Sequence, residues 1–226
     1  MATDGELFRI FPVFLVIDIS ASMEGEPIDA VNAALPSIKQ EMIENPTVGQ
    51  IARVSVVTFA ETGRVMLPLS DLAFAEMPHV SIEGGTNFAA AFRVARQAIE
   101  TAVGELPKGT PIYRPVIFFM SDGEHISEED WRPALTSLRD TSWKFAPEIV
   151  TFGFGKADEK TLRKIATRFA FLAKNGNPAQ QVREIINAIV HSIQTTSTSF
   201  HDPGQDGGLH IEADSKLFTR LPPLEI

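Results

Sequence analysis

Cysteine is absent from the 226 residues. That absence excludes a disulfide framework, a thiolate metal site and a cysteine nucleophile. Secreted domains of this size often carry disulfides, so a reducing compartment is favoured and a cytoplasmic location is expected. Basic charge is also in short supply: 20 Lys and Arg stand against 29 Asp and Glu, for a net charge of −9. Such a surface repels phosphates and anionic lipid, so neither nucleic acid nor a membrane is an expected partner. No apolar run is long enough to span a bilayer; the longest, Ile10 to Ile17, falls far short of the roughly 20 residues required. The opening Met1-Ala2-Thr3-Asp4-Gly5-Glu6 is acidic rather than basic, and no signal peptide is expected. A Gly-x-x-x-x-Gly-Lys-Ser/Thr phosphate loop and a Gly-x-Ser-x-Gly nucleophile turn are missing too.

With 44% hydrophobic residues, the chain can build one sizeable α/β core. Val13-Phe14-Leu15-Val16-Ile17 runs without alternation into Asp18, as does a strand buried on both faces. Val116 to Met120 repeats the pattern and ends in Ser121-Asp122-Gly123. Between them, Arg53 to Phe59 and Arg64 to Leu69 read as a hairpin, with Pro68 suited to an edge strand. Further strands are expected at Glu148 to Phe152 and Phe169 to Ala173. Helices are expected from Pro27, with Pro36 predicting a kink or a locally loosened turn; at about 87–102; after a Ser127 cap; after Asp158; and from Asn177-Pro178. The fold class is therefore α/β: a doubly wound, mostly parallel six-stranded sheet with one antiparallel edge strand. Residues 1–10 read as a lead-in and 11–195 as the domain. Residues 196–226 read as a linker or mobile tail, because Thr195 to Ser199 is polar and Asp202 to Gly208 is turn-rich; within it, Leu217-Phe218 and Leu221-Pro222-Pro223-Leu224 are apolar enough to dock on the domain or on a partner.

In an open sheet of this kind, ligands sit beyond the carboxyl ends of the strands where the winding reverses. Asp18, Ser20 and Ser22 follow the first strand, and Asp122 follows the fourth. The hairpin sends the chain down, residues 70–82 carry it back, and Gly84-Gly85-Thr86-Asn87 arrives beside Asp18. Two carboxylates and three hydroxyls from three loops thus converge at one rim. Oxygen donors of this kind suit Mg²⁺ or Mn²⁺, with Ca²⁺ less favoured, and two carboxylates leave a dication electrophilic toward an outside carboxylate. Taken singly, each motif has an ordinary alternative: Asp then Ser after a strand is often a cap or turn, Gly-Gly-Thr a loop, Ser-Asp-Gly a turn. Asn87 reads as a helix-start residue, and Glu24, Glu83, Glu124 and His125 as solvated rim residues.

Asp18-Ile19-Ser20-Ala21-Ser22, Gly85-Thr86-Asn87 and Ser121-Asp122-Gly123, in this order, resemble the von Willebrand factor A (vWA) family over about residues 10–195. The resemblance implies a Rossmann-like vWA fold with a metal-ion-dependent adhesion site. Its metal ligands would be Asp18, Ser20, Ser22, Thr86 and Asp122, and its partner a protein supplying an acidic residue. Ala21 stands where the family often has Gly. The stretch Val16 to Ile28, followed by Ala30-Val31-Asn32, is similar to the bacterial TerY-like branch associated with tellurium resistance and stress response. That branch implies an adaptor working beside a protein kinase and a phosphatase. The expected role is thus binding, not enzymatic. The alternative is a Mg²⁺-dependent hydrolase or phosphotransfer enzyme. It lacks support from a second carboxylate two residues after Asp18, where Ser20 stands, and no general base accompanies Ser20 or Ser22. A response-regulator role would need an acid cluster on the first loop; Lys156 has the position of its lysine, but the cluster is missing. Tail acids Asp202, Asp206 and Glu225 are candidates to reach a neighbouring molecule's metal.

Overall fold

β1 (Phe11–Asp18) is buried along its whole length. Val13, Leu15 and Ile17 point into one core, and Phe14 and Val16 into another on the opposite face. Non-alternating apolar sequence in β1 is therefore the consequence of a strand with protein on both sides. The computed structural model describes residues 9–174, 176–200 and 208–224; the N-terminal lead-in up to residue 8, and the tail acids Asp202, Asp206 and Glu225, lie outside the described residues.

β2 (Ala52–Phe59) and β4 (Val116–Ser121) flank β1 in parallel. β3 (Gly63–Ser70) pairs antiparallel with β2 at the sheet edge and carries Pro68 where no ladder partner is lost. β5 (Glu148–Gly153), β6 (Phe169–Ala173) and β7 (Phe218–Leu221) complete the order β3-β2-β1-β4-β5-β6-β7. The winding reverses between β1 and β4, as the sequence predicts.

α1 (Glu26–Glu44) and α6 (Pro178–Ser199) cover one face of the sheet. α3 (Phe88–Glu105) and α4 (Arg132–Leu138) cover the other, where Phe59 stacks on Phe119 at 5.2 Å and Phe88 meets it edge-on at 5.4 Å. α5 (Glu159–Ile165) is capped by Asp158, whose Oδ2 accepts from Thr161 N at 2.7 Å. Asn177 caps α6 in the same way, accepting from Gln180 N at 2.9 Å.

The structure corrects several expectations. The sheet has seven strands and a second antiparallel edge, because Phe218–Leu221 pairs with β6. Phe218 packs against Phe152 at 5.8 Å and Phe171 at 6.3 Å, so apolar burial draws this part of the tail onto the domain. α6 continues through the polar run to Ser199 instead of ending near 195. Ser127 caps no helix: α4 begins only at Arg132, with Pro133 in its first turn, and Ser127 Oγ accepts from Glu129 N within a local turn. A short helix, α2 (Pro46–Ile51), adds to the expected elements; Asn45 before Pro46 is its cap signature, and the Asn45 side chain accepts from Val48 N at 3.3 Å. α1 runs through Pro36, which lies on its exposed side, where water can satisfy the carbonyl that Pro36 leaves unpaired.

Candidate metal centre at the carboxyl rim

The parallel ladder delivers Asp18 to the rim fully buried. Ile19 N donates to Phe59 O at 2.9 Å, tying the following loop to the end of β2. Asp18 Oδ1 then accepts from Ser20 N at 2.9 Å, the side-chain turn typical of Asp. A single 3-10 turn over Ala21–Met23 follows, anchored by the buried Met23. Ser20 and Ser22 come out on one side of it, their Oγ atoms 3.1 Å apart.

Residues from β4 close the second half. Ser22 Oγ donates to Asp122 Oδ1 at 2.7 Å, and Ser121 Oγ donates to Asp18 Oδ2 at 2.7 Å. The sequence marks Ser121 only by its place in Ser-Asp-Gly. The structure makes it the group that orients Asp18. The motif itself was the available signal.

The third loop reaches the rim by the route the hairpin demands. Val80 is held to α1 by Asn32, which donates to its carbonyl at 2.9 Å and accepts from its amide at 2.8 Å. Glu83 N donates to Ile19 O at 2.8 Å, Glu61 N to Gly84 O at 3.0 Å and Asn87 N to Ala60 O at 2.8 Å. Gly85 has φ +66, and a Cβ there would lie 2.4 Å from Glu61 Cγ, so glycine is required for this approach. Thr86 is buried and lines, with Ser22 and Asp122, one cavity of about 580 Å³.

Two neighbours have duties other than solvation. His125 Nδ1 accepts from Phe88 N at 3.1 Å, which leaves Nε2 as the donor to Glu129 O at 2.7 Å. Glu83 pairs with Arg64 at 3.3 Å. Asn87 caps α3 by accepting from Ala90 N at 3.2 Å, as expected, and donates to Glu129 at 3.2 Å. Arg93 donates to the same Glu129 at 3.0 Å and holds that carboxyl down at about 2.

The electrostatics are unbalanced. Burial pushes the Asp18 carboxyl up to about 6, against hydrogen bonds from Ser121 and Ser20 that lower it. Burial raises Asp122 as well, against the hydrogen bond from Ser22. Among the described residues no Lys, Arg or His forms an ion pair with either. Nor, among them, is there a group of three or more His, Cys, Asp or Glu placed to hold a metal, so any cation here must draw on hydroxyls. Two buried carboxylates with hydroxyls beside them and no protein cation are a donor set that fits a hard divalent ion.

A doubly wound sheet with a rim of carboxylates and hydroxyls at its switch point defines the class. The chain belongs to the von Willebrand factor type A domain family, whose model matches residues 13–188. Solved structures of similar fold include a von Willebrand factor type A protein from Catenulispora acidiphila, at 18% identity and a TM-score of 0.60 over 82% of this chain and 43% of that one. Proximal thread matrix protein 1 from the mussel byssus, solved with a zinc-occupied metal-ion-dependent adhesion motif, gives 14%, 0.59, 82% and 48%. The pilus adhesin SpaC from Lactobacillus rhamnosus GG gives 15%, 0.61, 82% and 30%. The chain spans less than half the length of each. At these identities the likeness is one of fold. Among curated proteins no sequence matches. Among the described residues no helix is long and apolar enough to cross a membrane.

Proposed function

We propose that the rim is a metal-ion-dependent adhesion site through which the protein binds an acidic residue of a partner protein. Asp18, Ser20, Ser22, Thr86 and Asp122 would hold Mg²⁺ or Mn²⁺, with Ca²⁺ less favoured for a site this poor in carboxylates. When bound, the metal supplies a Lewis-acidic position that accepts an outside carboxylate. The chain's own residues position it: Ser121 and Ser20 N orient Asp18, and Ser22 orients Asp122.

The observation that carries this reading is the pair of buried carboxylates without a protein cation. The zinc-occupied motif of the mussel protein lends it support. Ser20 and Ser22 engage each other and Asp122, not a histidine or lysine base, which favours binding over nucleophilic catalysis. We further propose that the protein acts in the cytoplasm as an adaptor of the TerY-like, tellurium-resistance type, its partners a kinase or phosphatase of the same system.

Calorimetric titration with Mg²⁺ and Mn²⁺ tests the metal reading. Wild type binds, and Asp18→Ala and Thr86→Ala bind at least about tenfold more weakly. Equal affinity in all three would falsify it. A pull-down in Mg²⁺ against chelator then identifies the partner.

A further inference from the structure

The cavity over Ser22, Thr86 and Asp122 extends beyond them, and its outer wall includes Ala21, Gly123, Glu124, Ile126, Lys156 and Pro178. Two of these stand out. Ile126 is a large apolar side chain left 69% exposed, yet its backbone is fixed, since Ile126 N donates to Thr86 O at 3.1 Å. Lys156 is presented by a tight turn: Gly155 has φ +58, a Cβ there would press on Asp122 O at 3.3 Å, and Lys156 N donates to that same carbonyl at 2.9 Å. In a chain of net charge −9, the Lys156 ammonium has no carboxylate partner among the described residues. One apolar and one cationic group are thus each clamped by backbone to a residue of the proposed metal site.

Their placement follows from the strand order. The Thr86 loop is tied to the end of β2 through Asn87 and Ala60, and Ile126 is tied to Thr86. Lys156 follows β5, and Asp18 at the end of β1 and Asp122 just after β4 lie between. From β2 to β5 is three strand spacings, about 14 Å. An extended peptide turns alternate side chains to one face about 6.8 Å apart, so positions i−2, i and i+2 cover the same span.

We infer that the partner docks through an extended acidic segment of the pattern apolar–x–Asp/Glu–x–Asp/Glu, in either chain direction. The central carboxylate goes to the metal position, the apolar side chain to Ile126 and the second carboxylate to the Lys156 ammonium. This rests on the metal-site reading above and adds the chemistry of the ligand.

The test is selection of random short peptides displayed on phage against the full chain in Mg²⁺, with elution by EDTA. Wild type enriches two acids at i and i+2 with an apolar residue on the far side. Lys156→Glu replaces the second acid by Lys or Arg and weakens the wild-type peptide at least about tenfold. Ile126→Ser removes the apolar preference. Calorimetry shows both variants binding Mg²⁺ no more weakly than wild type. If they select the wild-type pattern, or if wild type binds Mg²⁺ but enriches no paired acids, the inference is overturned and the metal site stands. If wild type binds no Mg²⁺ or Mn²⁺, both fall together.

Discussion

A carboxylate with no exposed surface destabilises a fold unless something shares its charge. In Asp18 the folded chain holds the proton up to about pH 6, whereas an ordinary aspartate releases it near 3.8. Between those values the folded state binds more protons than the unfolded one, so metal-free stability falls as pH rises from about 4 to 6 and stays low above. The difference corresponds to up to about 3 kcal/mol at neutral pH. Asp18→Asn removes that penalty while keeping an acceptor for Ser20 N and a partner for Ser121 Oγ. Thermal unfolding without metal at pH 7 is expected to show a higher melting temperature for Asp18→Asn than for wild type. Adding Mg²⁺ is expected to raise the melting temperature of wild type alone. Because protons compete for the same oxygens, the Mg²⁺ affinity of wild type should fall as the pH drops below about 6, readable by calorimetry at several pH values.

The end of α6 shows how a helix can hide in a polar sequence. Thr195 to Ser199 resembles a linker by composition, yet Thr196, Ser197 and Ser199 are buried. The hydroxyls of Thr196 and Ser199 bond within the protein. Ser199 Oγ donates to Thr196 O at 2.8 Å, and Ser192 Oγ donates to Ala188 O at 2.7 Å while accepting from Glu212 N at 3.0 Å. Thr196 Oγ1 bonds both the carbonyl and the amide of His210 at 3.0 Å. The hydroxyl face of the helix is thus the ladder on which residues 210–212 are hung. Thr196→Val keeps the shape and leaves both His210 groups unpaired. Urea unfolding should show a loss of about 1–3 kcal/mol.

The sheet as a unit ends in two different edges. β3 is defended by Pro68 and by its bulged pairing with β2. β6 has no such device and is covered by β7, with Arg220 over the Phe169 ring at 3.6 Å and Lys174 N donating to Leu217 O at 2.9 Å. Ending the chain after Phe200 would uncover Phe171 and open the β6 edge. Such a protein is expected to lose at least about 3 kcal/mol and to aggregate with concentration in light scattering, while the chain through Ile226 stays monodisperse.

Much of this architecture was legible in local pattern. Unbroken apolar runs ending in Asp18 and Ser121-Asp122 marked central strands and the rim. The short hairpin loop set β3 antiparallel to β2, Pro68 marked it as an edge strand, and Asp158 and Asn177 announced their helices. These features depend on neighbours a few residues away, which is why they can be read along the chain. Tertiary contacts decided the rest. Whether Ser and Thr are solvated or buried depends on a distant backbone that accepts their bonds, as His210 and Glu212 do for α6. Whether Leu217-Phe218 docks depends on a vacant strand edge and the Phe152 and Phe171 rings beside it. The pairing of Ser121 with Asp18 spans 103 residues, and no periodicity encodes such a contact. The oxygen-bearing residues of the rim could be named from the sequence; the burial of Asp18 and Asp122 without a countercharge, on which the proposal of a cation rests, is a property of the folded sheet alone.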